Sequence, residues 1–122
     1  MIVLAVAAAG ALGAACRYVV DGVVQDRVEG AFPWGTWLIN VSGSLTLGFL
    51  AGLGLYHGLS DTPRTVIGTG FLGGYTTFST LMFESVRLFE DGSRYESLLD
   101  VLGSLGAGLA AAAIGLALAA VT

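Results

Sequence analysis

Lysine is absent from this chain, and charge of either sign is scarce. Only 11% of its 122 residues are charged, whereas a soluble globular domain carries about 25%. Hydrophobic residues make up 55% of the chain, and the mean hydropathy is +0.82. So few charges cannot cover the outer surface of a water-soluble globule. A lipid bilayer is the solvent that fits this composition, and we expect an integral membrane protein.

Residue types that carry much of protein chemistry are also scarce. Cys16 is the only cysteine, which excludes an intrachain disulfide and a cysteine-cluster metal site. His57 is the only histidine, so a histidine-rich site is excluded and a catalytic triad is not expected. The net charge is −4 and no basic patch exists, so nucleic acid is not an expected partner. The composition does not favour an enzyme.

Four apolar tracts organise the chain, at residues 1–20, 36–56, 65–83 and 98–121. Each is close to the roughly 20 residues that a helix needs to cross the hydrocarbon core. The joints between them are short, so neighbouring helices should be antiparallel. The sequence therefore predicts one all-α membrane domain over residues 1–122, with four transmembrane helices and both termini on the same side.

Small residues recur four positions apart in these tracts, which lets helices approach closely. The pairs are Gly10/Ala14, Gly48/Gly52, Gly70/Gly74 and Gly108/Ala112. They could serve packing within one subunit or contact between subunits. We favour an oligomer, because four helices alone enclose little interior for a polar pathway.

The third tract is interrupted by residues 73–80, which read Gly-Gly-Tyr-Thr-Thr-Phe-Ser-Thr. Two adjacent glycines and several threonines are poor material for a continuous helix. A break here would free backbone carbonyl and N–H groups at membrane depth. Such groups are tolerated there only when they are buried in protein or line a cavity. We expect this helix to be broken in mid-membrane.

The second tract carries a polar stripe, because Thr36, Asn40 and Ser44 are spaced four residues apart and share one helix face. These groups could hydrogen-bond between helices or donate to an anion, and the spacing does not decide between the two. Arg17 and Glu84 end the first and third tracts. They could extend to the interface, or form a buried pair, and Arg17 could attract anions to a pore mouth.

Three segments, residues 13–18, 33–44 and 70–80, together with Glu84, resemble the Fluc (CrcB) fluoride channels. The most specific of these motifs is the Gly-Gly-x-Thr-Thr-Phe-Ser-Thr run at residues 73–80. The resemblance extends over the whole chain in length and in the order of the spans. It implies a passive fluoride channel of the prokaryotic plasma (inner) membrane that exports fluoride and confers resistance to it.

The resemblance also implies an antiparallel, dual-topology type of dimer with two fluoride pores and one central sodium ion. Backbone carbonyls at the third-helix break hold that sodium ion, at positions that match Gly73 and Thr76. The pore positions match Asn40, Phe78, Ser79 and Thr80, with Thr36, Ser44 and Ser104 as further polar groups. Arg17 and Glu84 would be vestibule or structural charges. Close donors can replace the water of a strongly hydrated fluoride, and a phenylalanine ring edge carries partial positive charge.

The sequence departs from the family pattern at two positions. A second pore phenylalanine is expected three residues after Phe78, where Leu81 stands. Phe83 lies about 200° around the helix from Leu81 and should not replace it. Asp100 stands where the fourth helix usually has a pore-facing tyrosine, four residues before Ser104. A carboxylate there would repel fluoride unless it were protonated or paired, so one pore wall is expected to be altered.

Arginine is distributed unevenly between the two ends of the predicted helices. Arg27, Arg87 and Arg94 lie at one end and Arg64 at the other, a modest positive-inside bias that favours termini outside. A dual-topology homodimer should have almost no bias. This favours a heterodimer with an oppositely oriented homologue, with a homodimer as the alternative.

Two other functions remain open for a chain with four short apolar tracts. A small multidrug-type exporter would couple cation export to protons through a membrane carboxylate, for which Asp100 is the only candidate. A non-conducting partner subunit of a heterodimeric channel would need no pore of its own.

Overall fold

The computed structural model describes residues 1–122 and is helical, with no strand. Helix α1 comprises Ile2–Arg27 and α2 comprises Trp34–Tyr56. The next helix, α3, spans residues 61–75 and consists of Asp61–Thr65, a π-helical stretch Val66–Leu72 and one turn Gly73–Tyr75. Helices α4 and α5 comprise Ser79–Glu90 and Arg94–Val121.

Three of these helices, α1, α2 and α5, are long and apolar enough to cross a membrane. The other predicted span consists of α3 and α4, which are separated by residues 76–78. Large apolar side chains such as Leu4, Leu12, Leu105 and Leu109 are exposed on the outer faces of α1 and α5. Such a surface suits lipid and not water. The chain is a multi-pass membrane protein with four helical spans, the third of them bent.

The helices extend further than the apolar tracts that predicted them. Helix α1 continues to Arg27, α4 continues to Glu90, and α5 already begins at Arg94. A hydropathy pattern ends at the first charges, but backbone hydrogen bonding does not, because charged side chains at a helix end can lie in the interface. The joint between α4 and α5 is therefore a tight turn, in which Gly92 has a φ of +88°.

Helix α2 packs mainly on α5, and α1 packs mainly on α3. A Cβ added at Gly48 would overlap the carbonyl oxygen of Ala112, and one added at Gly74 would overlap that of Gly10. Backbones thus approach closely at residues from all four predicted small-residue pairs. Residues from each pair therefore serve packing within the subunit.

Gly73 and Gly74 were predicted to interrupt the third span, but they lie within its helix. Gly73 and Gly74 are helical, and Gly74 allows α3 to cross α1 against Gly10. The preceding π-helical stretch, Val66–Leu72, was not predicted either. Its wider turns bond each N–H one residue further back than an α-helix does, which changes the direction of the side chains that follow.

Candidate functional site

The third span breaks at the threonines. Thr76 has a ψ of 160°, which ends α3, and α4 begins at Ser79. The Leu72 carbonyl accepts hydrogen bonds from both the backbone N–H and the hydroxyl of Thr76, each at 2.9 Å. The predicted break is confirmed, and it is narrower than the polar run, since it involves only residues 76–78.

Asn40 of α2 holds the broken backbone in place. Its Nδ2 donates to the Thr77 carbonyl at 2.8 Å, and its Oδ1 accepts from the Thr77 N–H at 2.9 Å. One side-chain amide therefore replaces two helical hydrogen bonds that the break removes. Of the two roles considered for the polar stripe on α2, Asn40 thus performs hydrogen bonding between helices. The second N–H of the Asn40 amide is not needed for this contact.

Four carbonyls at the break, those of residues 73–76, lose the partners that a continuous helix would supply, and the Gly73 and Thr76 carbonyls are two of them. The Gly73 carbonyl would accept from the Thr77 N–H, which instead donates to Asn40. The Thr76 carbonyl would accept from the Thr80 N–H, which instead donates to Thr77 Oγ1 at 3.2 Å. Freed carbonyl oxygens are ligands that suit a hard cation. The Gly73 and Thr76 carbonyls belong to the positions that the family resemblance matched to a sodium site.

A cavity of about 330 Å³, which we call the break cavity, lies beside these residues. Its walls include five of the predicted site residues, namely Asn40, Ser44, Gly73, Thr76 and Phe78. Phe78 is 73% exposed, so its ring projects from the subunit surface at the edge of this cavity. The structure therefore brings together polar donors, freed carbonyls and one aromatic ring.

A second cavity, of about 360 Å³, contains Arg17, Thr36 and Thr80. Glu84 lies in the wall of a larger cavity of about 630 Å³, which also includes Thr80 and Arg87. Arg17 and Glu84 form no ion pair, and the only salt bridge in the chain joins Arg64 to Asp61. The suggested buried pair of Arg17 and Glu84 is therefore not formed.

Two other predicted site residues, Ser79 and Ser104, do not line the break cavity. Ser79 is exposed at the start of α4, with its Oγ 3.4 Å from Thr77 Oγ1. Ser104 is buried on α5. Leu81 lies in the wall of the break cavity with Phe78, whereas Phe83 borders the cavity of about 630 Å³. The expectation that Phe83 does not take the position of Leu81 is confirmed.

Asp100 is completely buried between α4 and α5, with 0% of its surface exposed. The Ser85 hydroxyl donates to Asp100 Oδ2 at 2.6 Å, and the Ser97 hydroxyl donates to the Ser85 carbonyl at 2.6 Å. Asp100 is therefore not an exposed carboxylate, although it aligns with a pore-facing position of the family. It is one member of a polar cluster inside the subunit.

Sequence reasoning missed three residues that organise this region. Thr77 is 8% exposed, and its hydroxyl caps the first turn of α4. The sequence did contain a signal for Thr77, because threonine is a preferred N-terminal cap of a helix and its hydroxyl can accept from an N–H in the first turn, here that of Thr80. Ser85 and Ser97 had no such signal, since only the packing of α4 on α5 places them at Asp100.

Known proteins match the chain along nearly all of its length. Residues 4–116 match the family described as "CrcB-like protein, Camphor Resistance (CrcB)". The chain is 49% identical over 116 residues to "Fluoride-specific ion channel FluC 1" of Leifsonia xyli subsp. xyli (strain CTCB07), covering 95% of this chain and 85% of that protein. It is 42% identical over 117 residues to "Fluoride-specific ion channel FluC" of Rhizobium meliloti (strain 1021), covering 95% and 94%. A protein of the same description from Roseiflexus sp. (strain RS-1) is 42% identical and matches over 99% and 98%.

Proposed function

Because the chain belongs to the CrcB-like protein family, we propose that it is a subunit of a fluoride channel that lets fluoride leave the cell passively and so confers resistance. The observation that carries this proposal is the break in the third span, held by Asn40 beside polar hydroxyls and Phe78. The relatives described as fluoride-specific ion channels support it. Neither an enzyme nor a multidrug exporter is favoured by these relatives.

Fluoride is small and holds its water strongly, so a path through the membrane has to offer several close donors in sequence. In the break cavity these are the Ser44 hydroxyl and the spare N–H of Asn40. The ring edge of Phe78 adds partial positive charge. The second cavity continues the polar lining with Thr36 and Thr80. Neutral donors bind the anion weakly enough to release it, which a conducting path requires.

A sodium ion fits the freed carbonyls of Gly73 and Thr76, which have lost their helical donors to Asn40 and Thr77. Carbonyl oxygens satisfy a hard cation without adding a buried negative charge. When bound, the ion would supply fixed positive charge beside the anion path. Gly73 is exposed on the subunit surface, so the ion would lie where a second subunit can add carbonyls of its own.

An antiparallel partner subunit would complete the site. Phe78 is 73% exposed, and an aromatic ring at the edge of a polar cavity would face lipid if the subunit stood alone. A second subunit would cover the ring and close the open side of the break cavity. The arginine bias of the loops favours a homologue of opposite orientation as that partner, with a second copy of this chain as the alternative.

Liposomes loaded with fluoride test the function directly. We expect protein-containing vesicles to release fluoride passively, and chloride not at all, when a potassium ionophore balances the charge and an electrode records the ion. Detergent lysis gives the total fluoride, and protein-free vesicles give the leak. Efflux from vesicles with this chain alone would support a homodimer. Efflux that appears only with a co-reconstituted homologue would support the heterodimer. Proton-driven uptake of a lipophilic cation without fluoride flux would contradict the channel.

Removing sodium tests the proposed metal site. We expect fluoride efflux to fall when sodium is exchanged for a large organic cation during purification and assay, and to recover when sodium is returned. The reason is that the freed carbonyls of Gly73 and Thr76 would then have no positive partner. Direct binding of radioactive sodium to the purified protein, lost on exchange, is the accompanying measurement. Equal efflux with no sodium bound would contradict the site.

A further inference from the structure

The polar cluster between α4 and α5 has a fixed direction of hydrogen bonding. Ser85 gives its single hydroxyl proton to Asp100 Oδ2 at 2.6 Å. Asp100 Oδ1 has no hydrogen-bond partner, and neither does the buried Ser104 Oγ. These two residues are four positions apart and so lie on one face of α5. The cluster therefore leaves two neighbouring buried oxygens unsatisfied.

The charged groups around Asp100 do not stabilise a negative charge. Glu84 faces it from α4, and one oxygen of that carboxyl, Oε1, also lacks a partner. Glu96 lies one turn earlier on α5 itself. Helix α2, the other helix packed on α5, contains no charged residue, and its one ionisable group, Tyr56, is at the far end.

Arg87, the cation of α4 nearest in sequence to Glu84, is exposed and forms no ion pair. A buried carboxylate with an acidic neighbour and no cation is strongly disfavoured. An ionised carboxylate can only accept hydrogen bonds, whereas the protonated form can also donate one.

We propose that Asp100 is held as the neutral carboxylic acid and that its Oδ1–H group donates to Ser104 Oγ. A single proton then satisfies both partnerless oxygens. With its oxygen engaged in this way, the Ser104 hydroxyl donates its own proton to another acceptor. Asp100 is thus a positioning residue, which acts by making Ser104 a donor.

The donor formed in this way lies one helical turn from the proposed fluoride path. Gly108 follows Ser104 by one turn on the same face of α5, and a Cβ at Gly108 would contact Ser44 Oγ at 3.4 Å. Ser44 lies in the wall of the break cavity. This last step rests on the proposed function, whereas the protonation state of Asp100 does not. The aspartate then supplies a hydroxyl-type donor and adds no negative charge to the path.

Infrared spectroscopy of the protein in lipid tests the protonation state without any flux. At neutral pH we expect the carbonyl stretch of a protonated carboxylic acid in the wild type and in Glu84→Gln, and its loss in Asp100→Asn. We also expect that band to shift in Ser104→Ala, because the acid loses its acceptor. Absence of the band from the wild type would overturn the proposal. A band that survives in Asp100→Asn and disappears in Glu84→Gln would also overturn it, since it would place the proton on Glu84.

The pH profile of fluoride efflux tests the consequence. Above the titration point of Asp100, we expect wild-type efflux to fall about tenfold for each pH unit, as the ionised fraction takes over. Asp100→Asn cannot ionise, so its profile should be flat over the same range, and Glu84→Gln should keep the fall. Parallel profiles for the wild type and Asp100→Asn would refute the positioning role. Absence of efflux from every protein would count against the proposed channel, and the infrared result would stand apart from it.

Discussion

We expect the substitution Asn40→Ala to lower fluoride efflux about hundredfold. The substitution removes the donor to the Thr77 carbonyl and the acceptor for the Thr77 N–H, which are bonded at 2.8 and 2.9 Å. Each buried backbone group left unpaired costs roughly 1–3 kcal/mol. A total of about 3 kcal/mol corresponds to a factor of about 100 in the population of the intact break.

Thr46→Ala is the matched control for this experiment. It also removes a polar side chain from α2, but Thr46 is exposed and bonds only to the Ser42 carbonyl of its own helix. Its efflux should stay within about twofold of the wild type, since exposed surface changes cost little. Asn40→Asp should fail like Asn40→Ala, because a carboxylate cannot donate to the Thr77 carbonyl. Efflux of Asn40→Ala equal to that of Thr46→Ala would show that the amide does not hold the break.

Gly13→Ala should destabilise the subunit by about 3 kcal/mol, the upper end of what overpacking usually costs. A Cβ at Gly13 would overlap the carbonyl oxygen of Phe71 and approach the Tyr75 backbone nitrogen at 3.0 Å. Both contacts are backbone atoms, so no side chain can move aside. Relief requires α3 to move away from α1. Because α3 ends at the break, we also expect fluoride efflux to fall.

Gly22→Ala provides the comparison on the same helix. Nothing lies within 4 Å of a Cβ at Gly22, and alanine is the better helix former by about 1 kcal/mol. Thermal unfolding of the two variants in the same detergent, followed by circular dichroism and by the folded fraction on gel filtration, measures the difference. If both variants unfold with the wild type, the close crossing of α1 and α3 is not what stabilises the fold.

An altered pore wall was predicted from Leu81 and Asp100, and the structure places these two residues in different surroundings. Leu81 lies in the wall of the break cavity next to Phe78, so an aliphatic side chain does stand in that wall. Asp100 was expected to repel anions unless it were protonated or paired. It is instead buried and accepts a hydrogen bond from Ser85, and its effect depends on its proton.

Hydropathy and composition alone determined that the chain is a four-span membrane protein and located the helices to within several residues. The polar run at residues 73–80 was enough to predict that the third span is broken, because adjacent glycines and several threonines do not favour a continuous helix. These properties depend on transfer from water to lipid and on local helix formation, which neighbouring residues in the sequence decide.

Tertiary packing decided the position of the break and the use of its residues. Gly73 and Gly74 suggested a break but remained helical, because the contact of Gly74 with Gly10 of α1 requires a residue without a Cβ. The break lies instead around Thr77. Asn40, which is 37 positions earlier in the chain, supplies both hydrogen bonds that the Thr77 backbone has lost. Sequence spacing did not decide whether Asn40 hydrogen-bonds between helices or donates to an anion. The partner of a side chain depends on which helix packs against it.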